Sequence, residues 1–449
     1  MLGAPPKNIG RPRAIGAKFF VAIDRRAADW STEPMDIRRQ ETNSDAVAHP
    51  IYQTWLGEQR CRYKGNYGRR LPLRRIREAG IYDQWRLAQG VAEWLTRHCK
   101  DRRISVCVTD ASCVNAWAFA QGPHTDESVI VVTRRGLLAL QRLNILVAAA
   151  VRGLRDSPEV LPVLLRSLGS RQLDDRTAVA IAQLVMSSAM LFLLFHEAAH
   201  LLRGHLAGAA AEDEGEGPPL AISSASSVPY AAPIGRRDLS HPNVYSRTIE
   251  FDADIQAFYW ARLYLDHIDT ALLSDELGSE SQEVFRILLS TPDGRRWVAL
   301  AAGLCFHLAF SANASRLVKL KDATHPSRHE RIDLAILSDA AIANHNGEDP
   351  PVLWECVDFV CHMICEDASN GALVFEEAAR QLARRPDQPI SAYFEETRVW
   401  LGLSLDETSA EQVHQQRLAL MESMRHWGPI FARRQVASTL PILPWWPVA

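Results

Sequence analysis

At 449 residues, 47% apolar and 23% charged, the chain has the composition of a folded globular protein of two or three units rather than a disordered or fibrous one. Its 50 Lys and Arg against 53 Asp and Glu leave a net charge of −3, which excludes a whole-chain basic field directed at nucleic acid or an anionic membrane surface. Eight sparse, irregularly placed cysteines exclude a secreted disulfide scaffold, and the N-terminal MLGAPPKNIGRPRAIGAKFFVAID lacks an apolar run of signal-peptide length, so a cytoplasmic location is expected.

Residues 1–103 form an Arg- and aromatic-rich region in which Arg60 to Arg103 carry 13 Lys or Arg against four acids. Trp85, Leu87, Val91, Trp94 and Leu95 recur at helical spacing there, which predicts a solvated basic helix face with an apolar face turned inward. No nucleic-acid module pattern accompanies the charge, so no nucleic-acid partner is expected. From Ile104 the pattern alternates (ISVCVTD), and a second β-rich run follows at Ser128–Thr133, predicting two short strands. A helix follows Gly136, and a second is expected from near Asp174 to about Leu206. Within it, Ala178–Phe195 is 18 residues without a charge. That length reaches the threshold for a membrane span, but Gln183, Ser187 and Ser188 interrupt it and His196-Glu197 follows it directly, so a buried core helix without membrane insertion is expected. Residues 207–240, rich in Gly, Pro, Ser and Ala, read as a flexible insertion. Helical pattern resumes near Arg247, includes an apolar core helix at Trp297–Phe310, and continues to about Arg425. The expected organisation is mainly α with a small β-hairpin or sheet, in regions 1–103, 104–345 and 346–449.

The long apolar helix ends in His196-Glu197-Ala198-Ala199-His200. Histidines four apart share a helix face, so both imidazoles can reach one Zn²⁺ while Glu197 projects toward a water on that metal. Buried in an apolar helix, these groups would be costly without a partner. A third ligand is then required. The metzincin register places Gly and His at positions that hold Arg203 and Leu206 here, which excludes that arrangement. His205, five residues past His200, falls well round a continuing helix and reads as a C-terminal helix residue. On the next predicted helix, Glu250 and Asp254 share a face: Glu250 serves as the third ligand and Asp254 accepts the second N–H of a ligand histidine. Asp252 points elsewhere and reads as an exposed acid near a helix start.

These segments resemble the gluzincin metallopeptidases that include the CAAX prenyl endopeptidases and the stress protease HtpX. Asn115-Ala116-Trp117-Ala118, Val129–Thr133 and Gly136-Leu137-Leu138 resemble that family's N-A-[FW]-A hairpin and following helix start. His196-Glu197-x-x-His200-x4-His205 resembles its active-site helix, Glu250-x-x-Ala253-Asp254 its third-ligand motif, and Thr324-His325-Pro326-Ser327 with Arg331-Ile332 its last segment. The matches fall in order over about 104–340. The clear transmembrane helices of the CAAX and HtpX proteins have no equivalent series here, and the insertion between ligands is unusual, so a soluble relative is the better analogy. The arrangement also resembles the phage-exclusion protease Lit, which implies a defence or toxin-like role.

The resemblance implies a zincin-like catalytic core with one Zn²⁺ held by His196, His200 and Glu250, and Glu197 as general base. It further implies that the strand Val129, Ile130, Val131, Val132 offers its edge to an extended peptide, and that His325 and Arg331 stabilise charge on the carbonyl oxygen. The alternative of another class is a regulatory protein that uses a zincin-like domain to bind a partner, with its basic N-terminal region touching nucleic acid. Cys356, Cys361, His362 and Cys365 form a second cluster, but Cys361 and Cys365 share a helix face and no further Cys pair completes a zinc site, so core cysteines are expected.

Overall fold

In a computed structural model the basic stretch folds as two helices, α1 (Leu73–Glu78) and α2 (Tyr82–His98). The described residues are 68–111, 116–120, 126–156, 161–205, 222–223, 242–267 and 279–310, with Arg331, Ala335, Asp339, Val352, 355–360, 362–363, 422–433, 436 and 438–441. On α2 the expected inner face is present: Trp85, Val91 and Leu95 are buried, while Leu87 and Trp94 are half-buried against the same core. Arg74 and Arg75 lie on solvent and pair with Glu78 at 2.8 and 3.0 Å.

Three strands follow: β1 (Arg103–Thr109), β2 (Ala116–Ala120) and β3 (Glu127–Thr133). The sequence pattern discloses β1 and β3; β2 enters through the family resemblance. In the sheet β3 lies between the others, parallel to β1 with Val106 opposite Ile130, and antiparallel to β2 with Ala118 opposite Ile130. A two-residue strand, β4 (Ile222–Ser223), pairs antiparallel with Ala118 and Trp117 on the far side of β2. It is the only part of the 207–240 insertion among the described residues. The outer side of β1 is covered as well: Gln89 donates to the Val106 carbonyl, the Thr96 hydroxyl accepts from Ile104 N–H, and Leu71 N–H donates to the Val108 carbonyl.

β3 runs directly into α3 (Arg134–Gly153), where the Thr133 hydroxyl accepts from Gly136 N–H at 3.0 Å and so satisfies an end donor of the helix. α4 (Pro162–Leu168) begins with proline, and Glu355 closes its start by accepting from Val163 and Leu164 N–H. Burial pushes the Glu355 carboxyl up to about 7 in spite of those two donors. α5 (Asp175–Leu202) is capped by the Asp174 carboxylate, which accepts from Thr177 N–H at 2.7 Å. Its 28 residues extend about 42 Å.

Because α5 is apolar on all sides, it must be surrounded. α3, α6 (Pro242–His267), α7 (Ser279–Ser290) and α8 (Pro292–Phe310) pack around it, and β2 and α2 close the remaining faces. Trp94, Phe195 and Tyr264 meet edge to face beside it. Both α3 and α5 are long and apolar enough to cross a membrane by length and composition, but 83% of the most apolar 18-residue window of α5 is buried inside the protein. That helix is therefore the central core element, as its sequence predicts. One apolar cluster takes in residues from Ile76 to Leu440, and a second gathers Tyr245, Ile249, Trp427, Ile430 and Phe431.

Candidate metal centre

The last two turns of α5 and the third turn of α6 bring the ligand candidates together. His196, Glu197, His200, Glu250 and Asp254 are all buried, at no more than 2% exposure. His196 Nε2 and His200 Nε2 face each other at 3.2 Å. One oxygen of Glu250 lies 3.4 Å from His196 Nε2, and the other lies 3.5 Å from His200 Nε2. Zinc bonds of about 2.0–2.1 Å in a tetrahedron hold donor atoms about 3.3–3.4 Å apart. The observed spacings match that edge length, and the donor set of two imidazoles and one carboxylate is one that zinc takes. The three residues therefore fit a metal ion.

Each ligand is held from behind. His196 Nδ1 lies 2.8 Å from Asp254 Oδ1, the orienting contact expected of Asp254. Burial alone would disfavour the imidazolium of His196, but Asp254 and Glu250 outweigh it and raise this group to about 10. Asp254 itself is held below the usual carboxylate range in spite of burial, because Arg331, His307 and His196 surround it with positive potential. Arg331 donates from Nη2 to Glu250 Oε2 at 2.7 Å, with its Nε 3.4 Å from Asp254 Oδ2. Its guanidinium thus bridges the ligand and the orienter from within the protein, at 2% exposure, and burial there is outweighed by those acids so that its charge is reinforced. That placement differs from the expected oxyanion donor: both named nitrogens are directed at carboxylates.

Two residues read from sequence as bystanders belong to the centre. α5 ends at Leu202, not Leu206; Arg203 N–H closes the last turn on Ala199, and Gly204 takes φ of +71°, which turns the chain back. His205 is thereby folded under the helix, fully buried, with its Nδ1 3.0 Å from His200 Nδ1. Its Nε2 lies 3.0 Å from Asp252 Oδ2. Asp252 is likewise buried and not an exposed acid, because α6 starts at Pro242, well before Arg247, and residue 252 falls in the helix interior. Arg203 grips Asp252 with two bonds, Nε to Oδ2 at 2.8 Å and Nη2 to Oδ1 at 3.2 Å. This pairing overrides the cost of burial and holds the Asp252 carboxyl far below its ordinary range. His205, by contrast, is lowered, chiefly by burial.

The remaining expectations divide. Val129, Ile130, Val131 and Val132 are fully buried on β3, which is paired on both sides, so this strand has no edge to offer a peptide. Among the described residues, the outer side of β2 is paired only at Trp117 and Ala118, by β4. His325 lies outside the described residues. On α8, His307 is buried beside Phe192, and burial lowers it to about 3. It contributes to the electrostatics of Asp254, a role that a lone histidine in an apolar helix signals only weakly. In the second cluster Cys356 is buried with its Sγ 3.5 Å from the Trp297 carbonyl, and burial raises its thiol well above the ordinary value. Cys361 and Cys365 lie outside the described residues.

No protein-family model, no curated protein and no solved structure matches the chain.

Proposed function

We propose that the chain is a zinc-dependent endopeptidase of gluzincin type, cleaving a protein substrate with one Zn²⁺ held by His196, His200 and Glu250. The single observation that carries this reading is the convergence of those three buried donors at the spacing of zinc ligands, with Glu197 next to one of them. Zinc bound there supplies a Lewis acid for the scissile carbonyl and lowers the pKa of a coordinated water toward 7. Glu197 takes the proton of the attacking water and returns it to the leaving amine, a task suited to a carboxylate shielded from solvent. Arg331 pairs with Glu250 and Asp254 and holds both carboxylates in place. His325 is then left as the donor for the developing oxyanion, as the family resemblance implies. An extended peptide would pair along the outer side of β2, which packs on α5.

The four described free cysteines, Cys99, Cys107, Cys305 and Cys356, are compatible with the reducing compartment proposed for the protein. A stress, defence or toxin-like role remains part of the same proposal.

The test is zinc content and proteolysis of two variants. Glu197→Gln keeps the metal and loses peptidase activity by two orders of magnitude or more, on the order of a general-base contribution. Glu250→Ala loses zinc. Undiminished cleavage by the first, or full zinc occupancy in the second, refutes the corresponding role. New N-termini in cells that express the wild type but not Glu197→Gln would identify the substrate.

A further inference from the structure

The two ligand histidines are oriented by different devices. His196 rests its Nδ1 directly on a carboxylate, Asp254. At His200 the Nδ1 faces the Nδ1 of another imidazole, His205, at 3.0 Å, and that ring in turn reaches Asp252. Two identical ring nitrogens at that distance admit only one order, a donor facing an acceptor, so the proton arrangement of the whole chain is fixed by whichever end is least adjustable.

That end is Asp252. Its two oxygens already accept three contacts, two from Arg203 and one from His205 Nε2, and an ionised carboxylate can only accept. His205 therefore carries its proton on Nε2. With that proton on Nε2, the His205 ring presents the lone pair of Nδ1 to His200, which donates from its own Nδ1. The lone pair of His200 is left at Nε2, on the face shared with His196 Nε2 and Glu250. The opposite order would place N–H at His200 Nε2 and block that face to any cation.

We infer that His205 and Asp252, clamped by Arg203, are positioning residues that set the tautomer of His200 and so prepare its Nε2 for the metal. The Tyr245 hydroxyl, which donates to the His205 carbonyl at 3.3 Å, and the Phe431 ring, edge-on at 4.8 Å, hold the intermediate imidazole in register. The inference rests on the zinc reading above.

The experiment measures zinc affinity of the full chain by competition with a chromogenic chelator, together with histidine ¹⁵N shifts that separate the two tautomers. His205→Leu removes the acceptor and weakens zinc ~10–100-fold, the usual effect of deleting an outer partner of a ligand. His205→Gln offers an amide oxygen to His200 Nδ1–H and an amide N–H to Asp252, and it restores affinity to within about threefold of wild type. Asp252→Asn turns an N–H toward either His205 or Arg203 and weakens zinc as His205→Leu does. In wild type the spectra place the His205 proton on Nε2 and the His200 proton on Nδ1, a readout that needs no variant to fold. Equal zinc affinity in folded His205→Leu, or a proton on His205 Nδ1, overturns the chain while leaving the metal site standing. A wild type that binds no zinc, or a His200→Ala variant that binds it fully, sinks the metal reading itself.

Discussion

Arg331 separates two accounts of the site. As an oxyanion donor it would act only on the transition state, and its removal would lower kcat with little effect on the folded protein. Placed as it is, 2.7 Å from Glu250 and 3.4 Å from Asp254, it is the counter-charge of two buried carboxylates. Breaking such a group by deleting one partner leaves uncompensated buried charge and costs about 3–5 kcal/mol. Arg331→Ala is therefore expected to lower the midpoint of thermal unfolding in the metal-free protein by many degrees, a loss that bound zinc partly offsets by neutralising Glu250. An unfolding midpoint equal to wild type, with activity alone reduced, would return Arg331 to the oxyanion role. The same neighbourhood shows what single positions disclose. His196, His200, Glu250 and Asp254 were legible because a four-residue step fixes a shared helix face whatever surrounds it. His205 and Asp252 were not, since reckoning by 100° per residue holds only while the helix continues. Gly204 ends it, and a glycine one residue before the histidine was the available signal.

Element by element, periodicity served well where a face is one-sided and less well where an element is buried all round. α2 has an apolar stripe, and the predicted inner residues are the buried ones. β3 is a continuous apolar run, the mark of a strand covered on both faces and paired on both sides, and so it was a poor choice for an open edge. α8 carries two glycines whose surroundings give opposite forecasts. A Cβ added at Gly303 would meet Phe192 and Phe258 ring carbons at 3.5–3.6 Å, ordinary contact distances, so Gly303→Ala fills space and removes chain freedom from the unfolded state. It should stabilise by roughly 0.5–1 kcal/mol, the difference between glycine and alanine inside a helix. A Cβ at Gly294 would fall on the Leu288 carbonyl oxygen, backbone that cannot swing aside, so Gly294→Ala should destabilise even though it raises helix propensity. Chemical denaturation of both variants checks the pair. A destabilised Gly303→Ala or a stabilised Gly294→Ala would show that α8 is packed otherwise than described.

At the scale of the whole molecule, the candidate metal centre is closed by chain far from its motifs. Helical residues 422–433 place Trp427, Ile430 and Phe431 against Tyr245 and Ile249 of α6, with Phe431 also on the His205 ring. Val436 N–H donates to the Leu202 carbonyl at 2.9 Å, satisfying one of the acceptors that the end of α5 leaves open. Residues 438–441 then run back to the N-terminal region and α6: Ser438 bridges Cys99, Thr439 N–H donates to the His98 carbonyl, and Trp260 Nε1 donates to the Pro441 carbonyl. None of this was visible as a boundary or a motif, because pairings that span from 181 to 341 residues leave no periodicity, and composition alone suggested separate flanks. Its consequence is a prediction about metal binding from a segment with no ligand in it. Ending the chain at residue 421 strips three large apolar side chains from α6, each worth about 1.5–3 kcal/mol of burial, and opens the His205 side of the centre to water. The shortened protein should unfold at markedly lower temperature and hold zinc less tightly, although His196, His200, Glu197 and Glu250 all remain. Phe431→Ala in the full chain isolates the local part of that effect, with an expected cost of about 3–5 kcal/mol and weaker zinc binding by competition. Wild-type affinity in both proteins would mean that α5 and α6 form the centre on their own, and that the C-terminal segments merely rest on it.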